Sequence, residues 1–152
     1  MDIPETGRIA AIDYGTVRIG IAVTDSRRTI ASPLENYTRR DLARDAEHFK
    51  QLVCEEQITL FVVGLPVHNN GRESQKSIEA ETFGNWLKEH TGVPVVYFDE
   101  RFTTVEAEQL LAGAKLTKAR RKERLDKLAA QILLTAYLES GQRDTPPGRL
   151  DG

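Results

Sequence analysis

Residues 9–25 read IAAIDYGTVRIGIAVTD, and the fold is decided here. An apolar run over residues 9–12 ends on Asp13, and a second, over residues 19–24, begins after the turn at 14–18. Both are rich in Ile, Val and Ala, which predicts two strands joined by a tight connection. A carboxylate at the end of a buried strand loses water and needs a cation, a donor or an open edge. Asp13 is therefore either a turn residue, where Asp is common, or the first member of a metal or phosphate site. Gly15 lets the chain turn tightly beside it.

Working outward, residues 29–37 predict a third strand, and Pro33 makes it an edge or bulged one. The short connections favour an antiparallel meander. The period then changes. Leu42, Ala46, Phe49 and Val53 fall on one helical face, with Asp41 and Asp45 near the start. Residues 58–63 form a continuous apolar run closed by Gly64-Leu65-Pro66, the pattern of a buried parallel strand. A polar loop at 68–71 leads to a second helix marked by Ile78, Thr82, Phe83, Trp86 and Leu87, ending near Gly92. Residues 93–98 predict a fifth strand running into Asp99-Glu100-Arg101. Thr103-Thr104-Val105-Glu106 is a capping box for a third helix stopping near Gly113. Leu125, Leu128, Ala129, Ile132, Leu133 and Ala136 mark a long final helix ending at Gly141.

The order βββαβαβαα predicts an α/β fold. Three antiparallel strands and two parallel ones join in a five-stranded mixed sheet flanked by helices, with right-handed crossovers. Sites in such sheets gather at the carboxyl ends of the parallel strands. Asp13, the loop at 64–71 and Glu100 all fall there. Residues 1–141 read as a single domain. Residues 142–152, with Pro146, Pro147 and Gly148, read as a disordered tail.

The 152 residues suit one domain with a real core. No apolar run approaches the roughly 20 residues of a membrane span, and the polar first seven residues do not read as a signal peptide. Cys54 is the single cysteine, which excludes an intramolecular disulfide and fits a reducing cytoplasm. It reads as a small buried hydrophobe. One Cys and three scattered His do not make a structural zinc site. The net charge of −2 gives no general affinity for nucleic acid. Locally, however, Lys115, Lys118, Arg120, Arg121, Lys122, Arg124 and Lys127 face only Glu123 and Asp126. Such a patch either attracts phosphates or is a solvated helix face.

Three acids stand out: Asp13 after the first strand, Glu100 after the fifth, and Asp126 near the start of the final helix, beside its apolar stripe. Each has a plain structural reading. Asp13 caps a turn, Glu100 pairs with Arg101 or a lysine, and Asp126 contacts Lys122 or Arg121 along its helix. Their joint placement favours a site. Clustered carboxylates repel unless a cation neutralises them. Hard oxygen ligands select Mg²⁺ or Mn²⁺, and two such ions activate a water and stabilise the leaving oxygen of an in-line displacement. Asp99 and Glu100 point to opposite faces of an extended strand, so only one faces the site.

IDYGTVRIGIAVTD, VVGLP, FDERFTTVEAE and RLDKLAAQILLTAYLE, in this order and at this spacing, resemble the motifs of the YqgF/RuvX family, nucleases assigned to pre-16S ribosomal RNA and likened to Holliday-junction resolvases. The resemblance spans about residues 9–140. It implies a ribonuclease H-like fold and divalent-metal-dependent phosphodiester hydrolysis, with Asp13, Glu100 and Asp126 as catalytic metal ligands. It favours Glu100 over Asp99. Arg101 matches the family's arginine and is suited to a bidentate phosphate contact. Lys122 and Arg124 match basic positions before the last aspartate. The chain departs from the common GLP-x-N-x-D-G pattern, with His68 in place of an amide and Asn70 in place of an acid. His68 either protonates a leaving group or faces solvent in its loop.

Of the remaining residues, Phe83 and Trp86 read as core, and His48 and His90 as surface. Tyr14 either lines the groove or packs the turn. Thr16 donates to a phosphate or stabilises the turn. The expected function is 5'-end processing of pre-16S ribosomal RNA by a metal-dependent endonuclease, with Arg121 and Arg124 in the backbone grip. The alternatives are a resolvase-like DNase on structured DNA, a non-catalytic nucleic-acid-binding protein, and, ranked low, a phosphotransferase, since an Asp-x-Gly-Thr turn also occurs in actin- and hexokinase-like folds.

Overall fold

A computed structural model describes residues 3–66, 74–100 and 118–141, with backbone alone for 118–127. Five strands form one sheet: β1 (Arg8–Asp13), β2 (Arg18–Thr24), β3 (Ala31–Thr38), β4 (Ile58–Leu65) and β5 (Val95–Asp99). Among the described residues three helices accompany them: α1 (Leu42–Glu56), α2 (Gln75–Thr91) and α3 (Lys118–Glu139). The strand order is β3-β2-β1-β4-β5. The β1–β2 and β2–β3 pairs are antiparallel, while β1–β4 and β4–β5 are parallel. This is the mixed sheet expected from the pattern, and it is the ribonuclease H-like architecture.

The centre of the sheet is covered on both sides. Ile9, Ala10, Ala11 and Ile12 are all fully buried, which is why β1 reads as continuous rather than alternating apolar sequence. One layer, built from Ala10, Ile12, Phe61 and Val63, packs under α1 and α2. The other, built from Ile9, Ala11, Val62 and Phe98, packs under Ala130, Leu133, Leu134 and Tyr137 of α3. Each buried aromatic or branched side chain contributes about 1.5–3 kcal/mol. β3 is an edge strand. Pro33 sits opposite Ala22, where the β2–β3 register shifts, so its missing N–H costs no regular ladder bond.

The helices start and stop as their sequence dictates. Asp41 caps α1 by accepting from the Arg44 N–H at 2.8 Å, and Ser74 caps α2 by accepting from Ser77 N–H at 3.0 Å. Gly92 ends α2 with φ 72°, as the sequence predicts. The expected third helix between Thr103 and Gly113, the loop with His68 and Asn70, Arg101 and the tail lie outside the described residues.

Several expectations need correction. Cys54 is exposed, because it stands about 200° around α1 from Leu52, which faces the sheet. Leu42 is 62% exposed, and Leu52 takes the buried place instead. Ile78 is also exposed, while Ser77, Ala80, Phe83, Gly84 and Leu87 form the inward stripe of α2. α3 begins at Lys118, so Asp126 stands two turns inside it rather than near its start.

Candidate functional site

Two acids reach one face of the sheet. Asp13 shares the parity of Ile9 and Ala11, on the α3 side, and Glu100, which follows the last residue of β5, comes close to Gly64 together with Leu133 of α3. Asp99 follows Val95 and Tyr97 toward the α1–α2 side and is itself buried. Asp13 and Glu100 line one cavity of about 340 Å³ at the carboxyl ends of the parallel strands, together with Tyr14, Gly15, Thr16, Gly64, Pro66, Lys76, Glu79 and Ala80.

The backbone around the cavity is shaped by glycine at two places. A β-carbon on Gly15 would lie 2.3 Å from the Arg18 carbonyl oxygen, so only glycine closes the β1–β2 turn this tightly. A β-carbon on Gly64 would lie 2.6 Å from Glu100 Oε1 and 3.1 Å from Leu133 Cδ2. Gly64 therefore holds open the space into which Glu100 projects.

The electrostatics of the pair are unfavourable in isolation. Burial first, then the negative charges of Asp13 and Asp99, push Glu100 up to about 7, partly opposed by Lys76. Two carboxylates held together with their solvation reduced raise one another's proton affinity until a cation joins them. The bare cradle at Gly64 and this all-oxygen donor pair fit a hard divalent cation. Among the described residues no group of three His, Cys, Asp or Glu side chains forms a ready cage. Asp126 lies four residues before Ala130 on the sheet-facing stripe of α3. A β-carbon on Gly20, the register partner of Asp13, would lie 3.6 Å from Ala130 Cβ. The backbone thus sets Asp126 one helical turn from the wall beside Asp13.

Thr16 lines the cavity. Arg121, Lys122 and Arg124 belong to the first two turns of α3, and Lys122 is about 12 Å of axial rise from Ala130. Sequence reading missed Lys76 and Glu79, which reach the cavity from the first turns of α2. The only signal was positional: α2 starts where the loop after β4 returns to the sheet.

Tyr14 also joins a half-buried network. Its hydroxyl accepts from Arg39 Nη1 at 3.0 Å, while Arg39 Nε donates to Asp45 Oδ2 at 3.3 Å. Asp45 Oδ1 takes the Tyr37 hydroxyl at 2.7 Å and the Arg40 N–H at 2.9 Å. Burial works against the Asp45 charge, but these bonds and Arg39 outweigh it and hold the carboxyl below its ordinary range. Tyr37 is pushed up to about 12, by burial first and then by Asp45.

The model of the RuvX family, described as Holliday junction resolvase, matches residues 7–140. A protein of Rhodopirellula baltica named "Putative pre-16S rRNA nuclease" is 49% identical over 137 residues, covering 90% of this chain and 79% of that one. One of the same name from Thermoanaerobacter pseudethanolicus is 39% identical, covering 88% of this chain and 96% of that one. Among solved structures, T. thermophilus RuvC in complex with Holliday junction substrate superposes with a TM-score of 0.53 at 15% identity, covering 91% of this chain and 98% of that one. At that identity the likeness speaks for the fold alone. Among the described residues no helix is long and apolar enough to cross a membrane.

Proposed function

The chain belongs to the RuvX family, and from that premise we propose that it is a divalent-metal-dependent endonuclease that hydrolyses phosphodiester bonds in structured RNA, trimming the 5' end of pre-16S ribosomal RNA in the cytoplasm. One observation carries the reading: Asp13 and Glu100, distant in sequence, line a single cavity whose backbone glycine keeps open beside the Glu100 carboxylate. The names of the relatives support the choice of substrate.

Asp13 and Glu100 would hold Mg²⁺ or Mn²⁺, with Asp126 as the third ligand from α3. Such an ion would supply Lewis-acid polarisation and charge neutralisation at the scissile phosphate. Lys76 stands beside Glu100 and limits the negative potential that would repel a phosphate. The Thr16 hydroxyl, on the rim, donates to a phosphate oxygen. Arg101 takes a second oxygen pair, and Arg121, Lys122 and Arg124 grip the backbone further along the strand.

The test is cleavage of a 5'-extended 16S precursor with Mg²⁺ or Mn²⁺, run beside Asp13→Asn protein and a four-way DNA junction. Metal-dependent cutting of the RNA that Asp13→Asn abolishes is the expected result. Equal cutting by both proteins overturns the carboxylate mechanism, and preference for the junction moves the substrate to DNA.

A further inference from the structure

A second groove of about 280 Å³ adjoins the carboxylate cavity and shares two of its walls, Tyr14 and Glu79. Its floor is apolar and aromatic: Ile78, Phe83 and Trp86, with Arg39 and Thr82 beside them. Ile78 is 45% exposed here although it belongs to a helix with a complete buried stripe. The Phe83 and Trp86 rings stack at 5.4 Å between centroids.

Arg39 is the unusual member. Its guanidinium lies over the Tyr14 ring at 5.4 Å and the Phe83 ring at 5.5 Å. Nε and Nη1 are committed to Asp45 and Tyr14. Its backbone N–H donates to the Val17 carbonyl at 2.9 Å, tying it to the turn that follows Asp13. Asp45 is fully buried, so the guanidinium plane is fixed from below, while 18% of the Arg39 side chain stays open. A flat cation beside exposed apolar side chains is the usual surface against which unpaired RNA bases stack.

We infer that this groove receives an unpaired base of the RNA strand, next to the nucleotide whose phosphate enters the carboxylate cavity. The base stacks over Ile78 and Trp86, with the edge of the Arg39 guanidinium, fixed by Asp45, facing it. The occupant is a nucleotide rather than a protein segment because the groove shares Tyr14 and Glu79 with a cavity read as phosphate-binding. The inference rests on that reading. It implies that the enzyme cuts where at least one base is unstacked, which favours single-stranded or junction-flanking RNA over a continuous duplex.

The experiment measures binding, not cleavage, so it is independent of whether the precursor is the substrate. Asp13→Asn protein is titrated by fluorescence anisotropy with a labelled single-stranded RNA and with an abasic ribose-phosphate chain of equal length. The base-bearing strand is expected to bind about ten-fold more tightly. Ile78→Asp, at an exposed position that does not test folding, should reduce that preference below about two-fold, its added charge weakening both strands alike and so cancelling in the ratio. Arg39→Lys keeps the charge but loses the plane, and should reduce the preference part of the way. Equal binding of the two strands by the parent protein overturns the inference, as does an undiminished preference in Ile78→Asp. If Asp13→Asn protein still cuts the precursor, the cleavage reading fails separately from these binding results.

Discussion

Two carboxylates on opposite sides of one sheet, Asp45 fully buried and Glu100 half-buried, behave in opposite ways. Asp45, on the α1 side, accepts three hydrogen bonds, one of them from the Arg39 guanidinium with which it is ion-paired, and is held below the ordinary carboxylate range. Glu100, on the α3 side, is pushed up to about 7 by burial and by its acidic neighbours. The first is solvated by its own protein. The second sits among acidic neighbours that oppose its charge, with Lys76 offsetting them only in part. Satisfied acids hold folds together, whereas acids kept close together and under-solvated are where chemistry is sought.

The contrast breaks most clearly in activity. Asp13→Asn or Glu100→Gln should lower metal-dependent cleavage by more than about 100-fold without lowering the melting temperature. Asp45→Ala should do the reverse. It leaves the Arg39 charge, the Tyr37 hydroxyl and the Arg40 N–H unpaired, and should cost about 3–5 kcal/mol in urea unfolding. An Asp45→Ala protein that unfolds at the parent urea concentration would show that the network is not structural.

The pH dependence sharpens the same comparison. The folded-state value of Glu100 lies above its unfolded one, so its proton-linked stability is full below about 4.5 and lost as pH rises through about 7. In chelator, Glu100→Gln should therefore match the parent at pH 4 and exceed it by about 2–3 kcal/mol at pH 8. Excess Mg²⁺ should narrow that gap. Asp45 has a lowered folded value, so its contribution is present above the ordinary carboxylate range and lost as pH falls through the depressed one. Against Asp45→Asn, the parent's advantage should shrink on acidification. Denaturation curves at pH 3, 5 and 8 test both slopes, and parallel slopes would refute the distinction.

Smaller effects follow from geometry. Gly64→Ala places a β-carbon 2.6 Å from Glu100 Oε1 and should cost about 1–3 kcal/mol, together with a weaker apparent affinity for Mn²⁺ read from the activity titration. Cys54→Ser, exposed on α1, should change stability by less than about 0.5 kcal/mol.

The strands and the edge or bulged character of β3 were legible in residues 9–98 because each follows from a local rule: apolar runs, short turns and a proline that cannot donate. Asp13 was legible as a costly strand end, and the ordered motifs tied it to Glu100 and Asp126. Helical faces were read less well. Leu42, Ile78 and Cys54 were misplaced because a stripe of residues defines a period but not which side of it meets the sheet. Lys76, Glu79 and the Arg39–Asp45 pair left no trace, since a lone charge on a helix reads the same whether it meets solvent, a cavity or a buried partner.

By itself, then, the sequence determined the order of elements, the mixed sheet and the candidate acids, since strand period, turn chemistry and motif order are properties of neighbouring residues. The tertiary structure decided the rest. It brought Glu100 and Asp13 into one cavity and buried Asp45 beneath Arg39. These outcomes depend on which faces pack together, and burial sets the charge environment that separates a structural acid from a reactive one.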